Sequence, residues 1–439
     1  MRTNDMLEGV KEFWKEFRRM KSGMFGLILL ILFVAIVILE PLLLGYPETN
    51  EKWNDPTYWQ GLPMNAPPVW AARGMPGSET LKVLNFSTEK DGAYFDSLGF
   101  SYNFDYDGAP DDLIISLDHV VPYSTYIYVS IDAPGIGVLA FSKQLPYGTA
   151  LRIPLARDND FRDTMRVIDP YRQPIDALFA QKGEYKINLQ LVHADEEFHE
   201  ALKDTRINVL GKKYGLLGTD AYRRDLWSGL VAGMKWALMI GVVVSVITVL
   251  IGVFFGITSA YFGGWVDAAM QRIYEVVVSM PLFPLMIVIA AIFEPSIWLV
   301  ILLMCIFFWA GIQKTVRAMG LQIKEETFIE ASEGFGAPSR WILLKHMFPL
   351  LLPYALAEMA LMVPSAIVYE ASLSLIGLGD STIVTWGQML EGALNNGAVI
   401  NNLWWWVLPP GIAIVLVGMS FAFIGFALDT IVAPRLRTL

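Results

Sequence analysis

Six long apolar runs limit what this chain can become. They fall at 23–39, 235–260, 276–293, 296–312, 347–369 and 403–428. Each is close to or above the ~17 to 25 residues a helix needs to cross a bilayer. The 439-residue chain is 54% hydrophobic with a mean hydropathy of +0.44, so it reads as a polytopic membrane protein. Six transmembrane helices are expected, one before a long central segment and five after it.

Lysine and arginine fix the expected orientation. Arg2, Lys11, Lys15, Arg18, Arg19 and Lys21 precede the first run, and Lys314, Arg317, Lys324, Arg340 and Lys345 lie between the fourth and fifth. Arg435 and Arg437 sit in the tail. With six spans these segments share one side, and the positive-inside rule makes it the cytoplasm. The first run is followed by Glu40-Pro41 with no convincing small-residue cleavage site, so it is expected to remain as an anchor.

Residues 45–228 differ in character and fall outside by the same topology. They hold about 26 of the 43 acidic residues against about 18 Lys and Arg, so most of the formal charge of −10 resides there. Alternating or β-branched runs recur in LIISL, TYIYVSI, IGVLAF, LRIPL and EYKINLQLV between Pro, Gly and Asp turns. A compact β-rich domain follows, for which a sandwich fits. The lone Cys305 lies in the fourth run, so no disulfide staples that domain. Asn85-Phe86-Ser87 is a sequon on the outer side. The expected organisation is a cytoplasmic amphipathic segment 1–22, an anchor 23–44, the domain 45–228 and a five-helix core 229–439. In fold class this is an all-α polytopic membrane bundle with an inserted β-rich extracellular domain.

Catalytic chemistry is nearly absent from the sequence. HADEEFH at 193–199 brings His193 and His199 beside Asp195, Glu196 and Glu197, without the HExxH spacing that sets two imidazoles on one helical face. A solvated acidic turn is the expected reading, and no metal site is assigned. There is no GxxxxGK[ST] loop, so ATP must be bound elsewhere. Glu275, Glu358 and Glu370 are carboxylates within apolar runs, with Glu294 and Lys235 near run ends. Scattered and without obvious basic partners, they are expected to hydrogen-bond neighbouring helices or a partner rather than to carry protons. Pro281, Pro284, Pro353 and Pro364 are expected to interrupt helices. Gly252 and Gly256 form a GxxxG packing face, and Trp404, Trp405 and Trp406 suit an aromatic belt.

A polar stretch, EASEGFGAPSRWILLKHMFP at 330–349, separates the fourth and fifth runs. Phe328, Ala331, Ser332 and Phe335 share one helical face, with Glu326, Glu330 and Glu333 on the other, so 325–335 suits a short amphipathic helix. Thr327 and Glu330 suit a capping box, and Gly336 followed by Pro338 is a stop signal. So short a helix must dock against something; a helix lying on the bilayer accounts for the same pattern.

This stretch resembles the EAA loop of ABC importer permeases. LGTDAYRRDLWSGL at 217–230, YFGGWVDAAMQR at 261–272, EASLSLIGLGDSTIVTWGQML at 370–390 and APRLR at 433–437 are similar, in order, to blocks of the dipeptide/oligopeptide (and nickel) permease C-type subunits. The likeness covers 216–437 and the first anchor. Arg223 stands where that family has Gly, Tyr354 where Asn is common and Ala433 where Asp precedes the final Pro-Arg-Leu-Arg. The external domain is also longer than the family's loop.

The resemblance implies a type I ABC importer-like, non-catalytic subunit in a prokaryotic cell membrane. The implied partners are a second homologous permease, two cytoplasmic ATPase subunits that bind ATP and Mg, an extracellular solute-binding protein and membrane lipid, but no nucleic acid. No cofactor is expected in this chain. ATPase coupling falls to a cytoplasmic helix at 324–338 through Thr327, Phe328, Glu330, Ala331, Ser332, Gly336 and Ala337. Met280, Pro281, Pro364 and Glu370 are candidates for a pathway or helix break. The cargo would be peptides, with oligosaccharides or a nickel chelate as other solutes of such transporters. A proton-coupled carrier is the rival class, for which inverted repeats are missing.

Overall fold

The computed structural model describes residues 13–169 and 172–437; the basic residues expected at Arg2 and Lys11 lie outside them. Two compact units emerge, one comprising Met1–Asn54 with Ser228–Leu439 and the other Asp55–Trp227. In chain order, leaving aside short helical turns, the elements are α1 (Lys21–Ile38), β1 (Glu79–Lys82), β2 (Asn85–Asp91), β3 (Ala93–Phe104), β4 (Asp112–Val120), β5 (Thr125–Ala133), β6 (Gly137–Leu145), β7 (Ala150–Pro154) and β8 (Gly183–His193). There follow α2 (Glu196–Leu202), β9 (Arg206–Leu210), α3 (Leu226–Phe262), α4 (Gly264–Ser279), α5 (Leu282–Ile292), α6 (Ile297–Lys324), α7 (Thr327–Gly334), α8 (Phe348–Leu375), α9 (Trp386–Asn395) and α10 (Trp404–Arg437).

Among the described residues of the helical unit, five helices are long and apolar enough to cross a membrane: Lys21–Ile38, Leu226–Phe262, Ile297–Lys324, Ser339–Leu375 and Trp404–Ile431. The run at 276–293 is not one straight helix. α4 and α5 meet at a 76° bend, and they make a sixth span only if counted together. Pro281 causes the break, because its ring forces the preceding residue out of helical geometry; Met280 has ψ 127° and Pro281 itself caps α5. Pro353 and Pro364, by contrast, lie inside α8 without ending it. Proline interiors are tolerated where neighbours compensate for the lost backbone bond, so the expectation of breaks there is corrected.

Glycine sets how closely these helices pack. A Cβ on Gly252 would meet the Trp309 carbonyl oxygen at 2.9 Å, and one on Gly256 would meet Val316 at 2.6 Å. The GxxxG is therefore the contact face of α3 on α6. The anchor α1 uses Gly23 and Gly26 in the same way against α10, and Ser420 Oγ donates to the Gly26 carbonyl at 2.9 Å. Trp406 is fully buried, unlike Trp404 and Trp405, so it belongs to the packing of this unit and not to a belt. Glu40 is buried and pairs with Lys235 at 3.0 Å.

Residues 55–227 form a β-sandwich. One sheet runs β1-β9-β4-β7 and the other β2-β3-β8-β5-β6. Leu98, Ile127, Leu189 and Phe104 from the five-stranded sheet share one core with Leu113, Ile115, Ile153 and Ile207 from the other. Strict alternation makes this possible: every second residue of β8, from Tyr185 to His193, is buried. The first three strands and β9 were not legible from the repeated runs. β2 is exposed along most of its length, and Asn85 lies on it in the open.

Candidate functional site

The polar loop between α6 and α8 is built step by step from local chemistry. α6 ends at Lys324, and α7 then starts after Glu326, whose side chain makes no cap. The expected capping box is not formed, since Thr327 is already inside the helix. The other end is well defined. The Gly336 amide donates to the Glu333 carbonyl at 2.9 Å and the Ala337 amide to the Ser332 carbonyl at 3.0 Å, while Gly336 takes φ +80°. These two bonds are a Schellman closure, which needs a left-handed residue at that place. Nothing lies within 4 Å of a Cβ placed there, so glycine is required for its backbone and not for space.

The helix docks through Ile329, with Phe328 beside it. Ile329, only 1% exposed, is its anchor and shares a core with Val253, Ile257, Val316, Ile342 and Met347. Phe328 and Ala337 pack at the edge of that core. Ser332 Oγ donates to the Phe328 carbonyl at 2.7 Å and lies 3.3 Å from His346 Nε2. The His346 ring also meets Trp341 edge-on at 4.6 Å. A π-helical turn at Leu343–Met347 carries the chain into α8. Thr327, Glu330, Ala331 and Gly336 are exposed, and Phe335 is 92% exposed. Leu344 and Trp341 add 62% and 45% exposure nearby. The loop thus presents an apolar and acidic surface on a rigid base.

A second fixed point near the loop was missed in the sequence. Arg317 on α6 forms a bidentate pair with Asp267 on α4, with Nε donating at 2.7 Å. Ser259 Oγ also donates to Asp267. Such planar two-bond pairs are strong and directional. The block YFGGWVDAAMQR contained this aspartate, but its partner 50 residues later was not visible. Gly263 and Gly264, both at positive φ, turn α3 into α4 just before it.

The remaining candidates separate. Met280 and Pro281 are exposed at the bend, Pro364 is half-buried in α8, and Glu370 is buried with Ser374 Oγ donating to it at 2.8 Å. Glu275 is exposed and bonded to Arg272 at 2.7 Å, which corrects the expectation that it lacks a basic partner. In the block at 370–390, Asp380 accepts from the Ile297 and Thr382 amides, and Thr385 caps α9. In the β unit, LGTD forms a closed turn. Thr219 Oγ1 donates to the Pro63 carbonyl at 2.7 Å, and Arg224 Nε donates to the fully buried Asp220 at 2.6 Å. Burial pushes the Asp220 carboxyl up and Arg224 opposes that shift. Arg223 adopts φ +68°, with its guanidinium 3.0 Å from Asp111.

HADEEFH is not a solvated turn. Asp195 caps α2 by accepting from the Phe198 amide at 2.8 Å, with Glu196 and Glu197 in the first turn, where the helix dipole favours acid. His193 is 2% exposed, and Asp96, from a strand almost a hundred residues earlier, joins both histidines.

Residues 231–438 match the family described as binding-protein-dependent transport system inner membrane component, and 10–68 match the N-terminal TM domain of oligopeptide transport permease C. The chain is 32% identical over 221 residues to the dipeptide transport system permease protein DppC of Bacillus subtilis, covering 50% of this chain and 68% of that one. It is 32% identical over 225 residues to the oligopeptide transport system permease protein OppC of Haemophilus influenzae, covering 51% and 71%. An inward-facing MetNI methionine ABC transporter chain superposes at a TM-score of 0.37 and 20% identity, over 47% of this chain and 95% of that one.

Proposed function

From the chain's membership of the binding-protein-dependent inner membrane component family, we propose that it is the permease subunit of an ATP-driven importer of peptides, coupled to its ATPase through α7 and the turn after it. Phe335 carries this reading. Phe335 is 92% exposed and Leu344 and Trp341 of the same loop are 62% and 45% exposed, apolar area whose burial against a partner would be favourable. Ile329 holds the helix from behind, so a push on Phe335, Ala331 and Glu330 is transmitted to the core shared by α3, α6 and α8. Glu330 and Thr327 supply polar contacts, and Gly336 lets the chain turn away.

In this reading the two ATPases bind ATP and Mg, a second homologous permease completes the pathway, and an external solute-binding protein delivers cargo. The basic segments lie in the cytoplasm and the sandwich outside. Closure of the ATPases would tilt the bundle and alternate access past the bend at Met280-Pro281. Peptide cargo is favoured over oligosaccharide by the names of the relatives. The test is reconstitution of the chain with its neighbouring permease, ATPases and binding protein in proteoliposomes. ATP-dependent uptake of labelled oligopeptide supports the proposal. Uptake driven by a proton gradient without ATP would replace it with the carrier reading.

A further inference from the structure

We propose that Asp96, His193 and His199 form a binding site for one zinc ion in the β-sandwich, clamping α2 to the five-stranded sheet. The three residues come from β3, the end of β8 and α2. Asp96 Oδ2 lies 2.8 Å from His193 Nε2 and 2.7 Å from His199 Nδ1, and all three donor atoms fall within 4.8 Å of one another. Two imidazole nitrogens and a carboxylate oxygen are a donor set that zinc takes, with a fourth position left open. Bonds of about 2.0–2.2 Å in a tetrahedron separate ligands by roughly 3.3 Å, so each nitrogen must move from the oxygen by about half an ångström while the two nitrogens, now within 4.8 Å of each other, draw together.

The surroundings support the donors as a metal site's would. Thr88 Oγ1 donates to the other Asp96 oxygen at 2.7 Å, which fixes the carboxylate. The Tyr94 ring stacks on His199 at 4.5 Å and on His193 at 5.4 Å, and Phe198 meets His193 edge-on at 5.1 Å. Both ring planes are therefore set before any ion arrives. Asp96 and His193 side chains are fully buried and His199 is 13% exposed, so an ion would enter past His199. Without an ion the same atoms form a hydrogen-bonded triad in which one oxygen accepts from both rings; among the described residues His193 Nδ1 has no partner in either state, since the ion would sit on Nε2.

The full chain, purified in detergent through a tag free of histidine and stripped with EDTA, is titrated with zinc against a chromophoric chelator, with metal content measured by mass spectrometry. One zinc per chain is expected. Thr88→Val should weaken binding about 10- to 100-fold, the usual effect of losing a supporting partner, and His199→Gln should weaken it further. Limited proteolysis checks that the sandwich stays folded in both, whatever befalls the more buried Asp96→Asn. Zinc binding no tighter in the wild-type chain than in His199→Gln would overturn the site and leave the plain triad.

Discussion

Phe335→Ala separates docking from folding. The side chain is 92% exposed, so its removal should alter the stability of the chain itself by no more than about 0.5 kcal/mol, as for ordinary surface changes. If an ATPase covers it, the loss is that of a buried phenylalanine, about 1.5–3 kcal/mol. At 1.4 kcal/mol per tenfold, that weakens association roughly 10- to 150-fold. Ile329→Ala is the contrasting variant. Ile329 is 1% exposed in the core beneath the loop, so truncation there should cost about 2–5 kcal/mol and loosen α7 itself. The assay measures retention of the ATPase subunits on the immobilised permease and ATP-dependent uptake in proteoliposomes, with proteolysis of the loop as the folding control. Phe335→Ala should lose ATPase retention with an intact loop, and Ile329→Ala should lose both together. Undiminished retention and uptake by Phe335→Ala would refute the argument that the exposed ring is a contact.

Three further outcomes are expected. In Gly256→Val the new side chain meets Val316 at 2.6 Å and the Arg317 amide at 3.0 Å, so α3 and α6 must separate at a cost of about 1–3 kcal/mol, read as a lower melting temperature in detergent. With Ser142→Cys an impermeant thiol reagent should label intact cells, and with Ser339→Cys it should not; Cys305 is buried and gives no background, and the reverse pattern would overturn the orientation. Burial holds the Asp112 carboxyl above its ordinary range. The folded sandwich therefore binds that proton more tightly than the unfolded chain does, a contribution present at low pH and lost as pH rises through the folded value. Asp112→Asn should flatten this component, seen as a smaller gain in variant-relative stability on acidification; an unchanged pH profile would contradict it.

The loop shows where reading by pattern stops. Glycine at 336 could be placed at a helix end because few other residues take φ +80° there, and the charged spacing made 325–335 a helix. Phe335 and Ile329 are both apolar, and periodicity does not say which one packs into the protein and which faces away from it. Only the neighbours Val316, Ile342 and Met347 decide that. Pro281 and Pro364 make the same point. Each lacks an amide hydrogen, yet Met280 before Pro281 leaves helical geometry while Pro364 is carried within α8, a difference that the proline alone does not encode.

By itself the sequence determined the membrane class, the helical bundle with its β-rich insert and the position of the polar loop. These follow from run length, alternation and local turn chemistry, which are properties of neighbouring residues. Tertiary structure decided which pairs meet across long separations: Asp267 with Arg317, Glu40 with Lys235, and Asp96 with His193 and His199. The physical reason is that a charged or ligating side chain buried in a fold must find its partner in space. Strand order and helix packing set that distance, and spacing along the chain does not.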